Sequence, residues 1–191
     1  MKIRCPWVND NSMMIEYHDK EWGVPIHNDN LLFEFLVLEG AQAGLSWNTI
    51  LKKRENYRLA FDNFNPEKVA EYNSKKIYEL ENNSGIVRNH LKIQSVVINA
   101  RLILDIQKEF GSFDNYIWKF VGGKTIQNHW KTLEEIPSSS LESEQMSLDM
   151  KQKGFKFVGP TICYAFMQAV GMVNDHLMDC FRYSELNWDE L

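Results

Sequence analysis

Lys153-Gly154-Phe155-Lys156-Phe157-Val158-Gly159-Pro160-Thr161 is the stretch on which the fold turns. An amphipathic segment from Leu141 to Lys153 precedes it and an apolar one, Thr161 to Val170, follows. It therefore has the form of a helix-hairpin-helix. A Val-Gly-Pro-Thr turn that opens a helix leaves the backbone N–H groups of Gly159 and Thr161 facing outward. There the positive end of the helix dipole accepts a phosphate or a phosphate-bridging cation. Lys151, Lys153 and Lys156 flank the turn with no acid among them. Glycine and proline also punctuate ordinary αα turns, and the residues alone weigh the two readings equally.

Working outward, the same helical spacing recurs. Leu31, Leu32, Phe35, Leu36 and Leu38 mark an amphipathic helix over Asn30 to Leu45, with Asp29 as its cap and Gly44 as its end. Ser46 caps a second helix from Trp47 to about Phe61, Pro66 opens a short one, and Ser74 caps Lys75 to about Asn83. A broad apolar face runs through Ile93, Val96, Val97, Ala100, Ile103 and Leu104 in a helix from Asn89 to Phe110, and Asp114 to Phe120 is another. Thr125 to Ser140 is irregular, with Pro137-Ser138-Ser139-Ser140 as a loop and cap. No segment alternates with period two between hairpin turns, so an all-α chain is expected.

The 191 residues are 44% hydrophobic and 25% charged, with a mean hydropathy of -0.40. That balance excludes a disordered chain. The apolar run Ile93 to Leu104 is broken by Gln94, Ser95, Asn99 and Arg101, well short of the ~20 residues of a bilayer span. The first residues hold no apolar leader core, which predicts a cytoplasmic protein without membrane contact. Three cysteines in a chain this long argue against a disulfide framework. A net charge of -5 carries no global nucleic-acid signature, so acid-free local stretches matter. These are 86–104 with Arg88, Lys92 and Arg101, 119–131 with Lys119, Lys124 and Lys131, and 151–158; the acids gather elsewhere, as in Glu185, Asp189 and Glu190.

Cys5 and His18 near one end and His176 and Cys180 near the other supply two thiols and two imidazoles, a zinc-type donor set. The four-residue step from His176 to Cys180 puts both on one face of a helical turn. On spacing alone the plainer reading is the stronger: an incidental Cys5, a buried Cys180 thiol and locally satisfied histidines, since no CxxC is present. In Leu38-Glu39-Gly40-Ala41-Gln42-Ala43-Gly44-Leu45-Ser46-Trp47 a carboxylate is flanked by small residues that let a planar ligand or another backbone approach. Trp7, Tyr17, Trp22 and Trp47 crowd the same part of the chain. Core aromatics and a solvated Glu39 are the commoner outcome for such residues.

Several long motifs, in order, change those weights. Tyr17-His18-Asp19-Lys20-Glu21-Trp22-Gly23-Val24-Pro25, the stretch Leu38 to Trp47, Leu51-Lys52-Lys53-Arg54, the run Gly154 to Ala169 and Asn174-Asp175-His176 resemble the 3-methyladenine DNA glycosylase I family from Cys5 to Cys180. The resemblance implies one all-α glycosylase domain over 1–191 with two lobes. The helix-hairpin-helix spans about 141–170, and a zinc-binding snap joins about 1–30 to 171–185. It implies zinc on Cys5, His18, His176 and Cys180, Glu39 as the catalytic, base-recognising carboxylate, and Trp7, Tyr17, Trp22 and Trp47 as the base pocket. Leu45 becomes a wedge in the DNA stack, and Lys153, Lys156, Gly159 and Thr161 contact the DNA.

The implied activity is a monomer's hydrolysis of the N-glycosidic bond of N3-methylated adenine in duplex DNA, with 3-methyladenine as product. The base flips out, and no strand is cleaved because no lysine follows the hairpin where Schiff-base chemistry would need one. Two departures stand out. Phe157 occupies a hairpin position where many such motifs have glycine, and no catalytic aspartate is evident, Asp175 being placed to orient His176. A glycosylase with a shifted lesion range, a non-catalytic lesion-binding module and a zinc-stapled structural protein are the other classes in play. Base release and salt-dependent DNA binding separate them.

Overall fold

The computed structural model describes residues 2–8 and 10–186; Asp189 and Glu190 lie outside the described residues. Of the described residues, 61% are helical. Ten α-helices are described: α1 Ser12–Lys20, α2 Asp29–Gln42, α3 Trp47–Ala60, α4 Pro66–Ala70, α5 Ser74–Glu81, α6 His90–Phe110, α7 Phe113–Trp118, α8 Leu141–Gln152, α9 Pro160–Ala169 and α10 Phe181–Glu185. Two-residue strands, β1 Ile126–Gln127 and β2 Val173–Asn174, pair in parallel, and Met178 N donates to Trp130 O at 2.9 Å, so the irregular segment is tied down at several points. No described helix is long and apolar enough to cross a membrane.

Side-chain oxygens set most helix starts. Ser46 accepts from Thr49 N and Ser140 from Ser143 N, as expected. The α2 cap is Asn28, not Asp29. The Asp29 carboxylate instead accepts from Phe113 N and Asp114 N at 2.9 Å, and from Gln107 Nε2 at 2.7 Å. It satisfies the first turn of α7 across the fold, and its negative charge suits that helix end. Likewise Asn73, not Ser74, caps α5. Helix α1 was not expected, because its apolar residues are few; Asn11 starts it by accepting from Met13 N.

Helix α2 is not amphipathic in place. Every residue from Leu32 to Ala41 is buried, as in a helix enclosed on all sides, with α3 and α9 packed against it. Two of the buried residues are acids. Glu34 meets Arg54 Nε at 2.5 Å and Arg58 Nη2 at 2.8 Å, which offsets its desolvation. Glu39 has no such cation.

The chain ends are brought together by backbone. Gly23 N donates to Gln168 O at 3.1 Å, Ile26 N to Val170 O at 3.1 Å and Phe181 N to Ile3 O at 3.0 Å. Gly171 makes the crossing possible. Its φ is +74°, and a Cβ there would sit 2.4 Å from Pro25 N, so only glycine fits.

Candidate active site and metal centre

Where the termini meet, Cys5, His18, His176 and Cys180 are all buried, and their ligand atoms lie within 4.8 Å of one another. Cys5 Sγ is 3.6 Å from His176 Nδ1, and Cys180 Sγ is 3.5 Å from His176 Nδ1 and 3.4 Å from His18 Nε2. A tetrahedron with metal–sulfur distances of ~2.3 Å and metal–nitrogen distances of ~2.0 Å has sulfur–nitrogen edges of about 3.5 Å. The donor set thus fits a metal ion both in chemistry and in size.

The outer ring nitrogens are fixed as such a site requires. His18 Nδ1 lies 2.8 Å from Asp19 Oδ1, and Asp19 is held in turn by Arg4 Nε and Nη2 at 2.8 and 2.7 Å. The Arg4 guanidinium and the His18 ring hold the Asp19 carboxyl at about 2. His176 Nε2 lies 3.0 Å from the Trp22 carbonyl. The hydrogen bond from Cys5, with help from both imidazoles, holds Cys180 well below the ordinary thiol value, and the donating Cys5 is pushed up.

Asp175 therefore does not orient His176. Its carboxylate accepts from Asn128 Nδ2, Trp130 Nε1, Tyr164 OH and Gln168 Nε2 at 2.7 to 2.8 Å.

The aromatic pocket shares a wall with the cluster. Trp22 meets the His176 ring at 4.6 Å between centroids, and Trp7 meets His18 at 5.3 Å and Trp22 at 5.0 Å. Tyr17 continues the line to Trp7 at 6.5 Å and Trp47 at 5.2 Å. These rings, with Met14, Glu39, Gln42, Ile136, Ala165 and Gln168, enclose about 230 Å³. That volume is open to one flat heterocycle.

Glu39 is only 5% exposed. Among the described residues no donor bonds its carboxylate, and burial alone pushes its pKa from 4.5 up to about 8. It is a neutral acid at the back of an electron-rich pocket, ready to ionise beside a cation. Burial, and then the charges of Glu39 and Glu21, push the Tyr17 phenol well up. Trp47 Nε1 is a buried donor without an acceptor.

The loop after Glu39 carries Leu45, 41% exposed. Lys92 Nζ donates to Ala41 O at 2.8 Å and Ala43 O at 2.7 Å, closing the end of α2 below that loop. The hairpin borders the same helix, since a Cβ on Gly40 would lie 3.2 Å from Phe157 Cβ.

Phe157 itself has φ +54°, the left-handed conformation glycine takes without strain. Its neighbours hold it there. Lys156 N donates to Asn99 Oδ1 at 2.9 Å, Asn99 Nδ2 donates to Lys156 O at 3.0 Å, and Ser147 Oγ donates to Val158 O at 2.6 Å. No side chain caps α9, and the space a Gly159 Cβ would fill is open. The N–H groups there are free for an outside acceptor, with exposed Lys151, Lys156 and Thr161 around them. Lys153 does not join them. Its Nζ lies 3.1 Å from Glu109 and 5.2 Å from the Phe110 ring centre.

Ala165 and Gln168 escaped the sequence reading although they line the pocket. The signal was there: Gln168 is the one amide in the apolar run from Thr161 to Val170.

The hairpin between α8 and α9, packed beside a helical domain with an aromatic pocket, places the protein in the helix-hairpin-helix class. A methyladenine glycosylase family model matches residues 7–183. The DNA-3-methyladenine glycosylase of Haemophilus influenzae is 47% identical over 94% of this chain and 97% of its own length. A crystal structure of 3-methyladenine DNA glycosylase I superposes with a TM-score of 0.92 at 46% identity, covering 94% of this chain and 98% of the other. The Staphylococcus aureus enzyme, solved for the structural basis of 3-methyladenine recognition, gives 0.90 at 37% identity over 93% and 95%. The chain belongs to the methyladenine glycosylase family, and the family's members are enzymes that act on N-glycosidic bonds in DNA.

Proposed function

We propose that the enzyme excises N3-methylated adenine from duplex DNA by flipping the base into the aromatic pocket and hydrolysing its glycosidic bond without cutting the strand. The observation that carries this is Glu39, buried and without a partner among electron-rich rings, with its pKa at about 8. A purine methylated at N3 is a cation, and its bond to the sugar is already weakened. The pocket need not protonate the leaving group; it must choose the cation and admit water. Aromatic faces favour a cation by ~0.5–2 kcal/mol per contact. Glu39, losing its proton as the cation arrives, adds a charge-assisted hydrogen bond to the ring.

The surrounding groups hold the DNA. Gly159 and Thr161 N–H groups with Lys156 grip phosphates without reading sequence, and Leu45 fills the gap left by the flipped base. A damaged base costs less to unstack, which adds selectivity. None of the residues lining the pocket is a lysine, which supports a monofunctional enzyme. Zinc on Cys5, His18, His176 and Cys180 would be structural, stapling the termini behind Trp7 and Trp22. The proposed reading is of a single domain acting as a monomer in the cytoplasm.

The test is chromatography of bases freed from methylated duplex DNA, with a parallel gel for nicks. The expected result is 3-methyladenine in the supernatant and abasic sites that break only on alkali treatment. DNA binding without base release would overturn the enzymatic reading, and direct strand breaks would overturn the monofunctional one.

A further inference from the structure

Gln168 lies on α9 and lines the pocket. Its amide is not free to choose an orientation. Gln168 Nε2 donates to Asp175 Oδ2 at 2.8 Å, and that carboxylate is buried and faces donors only. Trp130 Nε1, a donor that cannot accept, sits 2.8 Å from Oδ1, with Asn128 Nδ2 at 2.7 Å; Tyr164 OH lies 2.7 Å from Oδ2. A flipped Gln168 amide would set its carbonyl oxygen against the carboxylate, two acceptors face to face. The NH₂ end is therefore locked away from the pocket and the Oε1 end is what remains.

No described residue donates to Oε1, and it is not among the buried atoms shut off from the pocket and solvent. The pocket thus carries a fixed acceptor on one wall.

We propose that Gln168 Oε1 reads the exocyclic amino group of the flipped base and is the residue that separates adenine-type from guanine-type lesions, with Asp175 as the positioning residue behind it. This rests on the function proposed above. Adenine offers an N–H donor at C6 beside the N7 acceptor, whereas guanine offers a second acceptor, O6. An acceptor held rigidly opposite C6 rewards the first and opposes the second, because its unpaired lone pairs then meet oxygen. The division of labour differs from that of Glu39, which senses charge: a methylated guanine is as cationic as a methylated adenine, so charge alone cannot choose between them.

The experiment is free-base binding by tryptophan fluorescence, using 3-methyladenine and its 6-oxo counterpart, 3-methylhypoxanthine, on the unaltered protein and on Gln168→Met. Melting curves establish that the variant is folded. The unaltered protein should prefer the amino base, and Gln168→Met should lower that preference on the order of tenfold, one hydrogen bond's worth. An unchanged preference in a folded variant overturns the proposal. Equal affinity of the two bases for the unaltered protein overturns it as well, whether or not the variant folds. Release of 3-methyladenine from methylated DNA by the unaltered protein is scored separately. Its failure would strike the proposed function, while intact release with an unchanged preference strikes only the role of Gln168.

Discussion

Replacing Glu39 by glutamine removes an acid that the fold keeps uncharged at neutral pH. Burial raises its carboxyl from 4.5 to about 8, so between those values the folded chain retains a proton that the unfolded chain has released. The stability contributed by that proton is fully present below about 4.5 and is lost as pH rises through about 8. At ~1.4 kcal/mol per pH unit, the loss across the whole window is on the order of 5 kcal/mol, with about 3 kcal/mol of it already incurred at pH 7. The amide is neutral at every pH, so Glu39→Gln should match the unaltered protein near pH 4.5 and exceed it increasingly above. Paired urea-unfolding curves at pH 5, 7 and 9 measure the difference directly. A difference independent of pH would refute the reasoning, since it would mean that Glu39 ionises as freely folded as unfolded.

Three further perturbations reach other parts of the molecule. Cys180→Ser removes one of four donors, and should take the zinc content from one per chain to near zero while lowering the melting temperature on the order of 10 °C; elemental analysis and calorimetry check both. Asn99→Ala leaves the Lys156 N–H and C=O without partners beside a left-handed Phe157, a loss of about 2–3 kcal/mol. It should weaken duplex binding on the order of tenfold yet leave free-base affinity unchanged, a split that fluorescence titration of each ligand resolves. Lys156→Ala should weaken binding to all sequences alike and reduce the slope of log K against log salt by about 0.9, whereas Lys153→Ala, already neutralised by Glu109, should change that slope far less.

How far the sequence reaches depends on whether a signal is local. The hairpin was legible because Gly159 and Pro160 impose their own backbone chemistry, and Ser46 and Ser140 because a cap needs only the next turn. Asp29 misled for the complementary reason: a carboxylate before a helix looks like its cap, but this one serves α7, some eighty positions away, and nothing local says so. The Cys/His pairs announced a donor set, yet their meeting depends on Gly23, Phe181 and Gly171 joining distant backbone. The plain reading left Glu39 in solvent, because neither its spacing nor its neighbours reveal that α2 is enclosed on every side. The family resemblance supplied that role, and the burial supplies its physical reason. Asp175 was assigned by adjacency to His176; its side chain points to four other donors, one of them Gln168, whose place in the pocket only the assembled helices disclose.

The central claim is that a buried, partnerless Glu39 in an aromatic pocket selects and releases a cationic adenine. Single-turnover release of bases from methylated duplex DNA, by the unaltered protein and by Glu39→Gln, tests it most directly. The account predicts 3-methyladenine with little 7-methylguanine from the unaltered protein, and a rate lower by about 10² in the variant, the scale of removing one electrostatic group from a desolvated site. Release of 3-methyladenine at an undiminished rate by Glu39→Gln, or none at all by the unaltered protein while it holds the DNA, would contradict it.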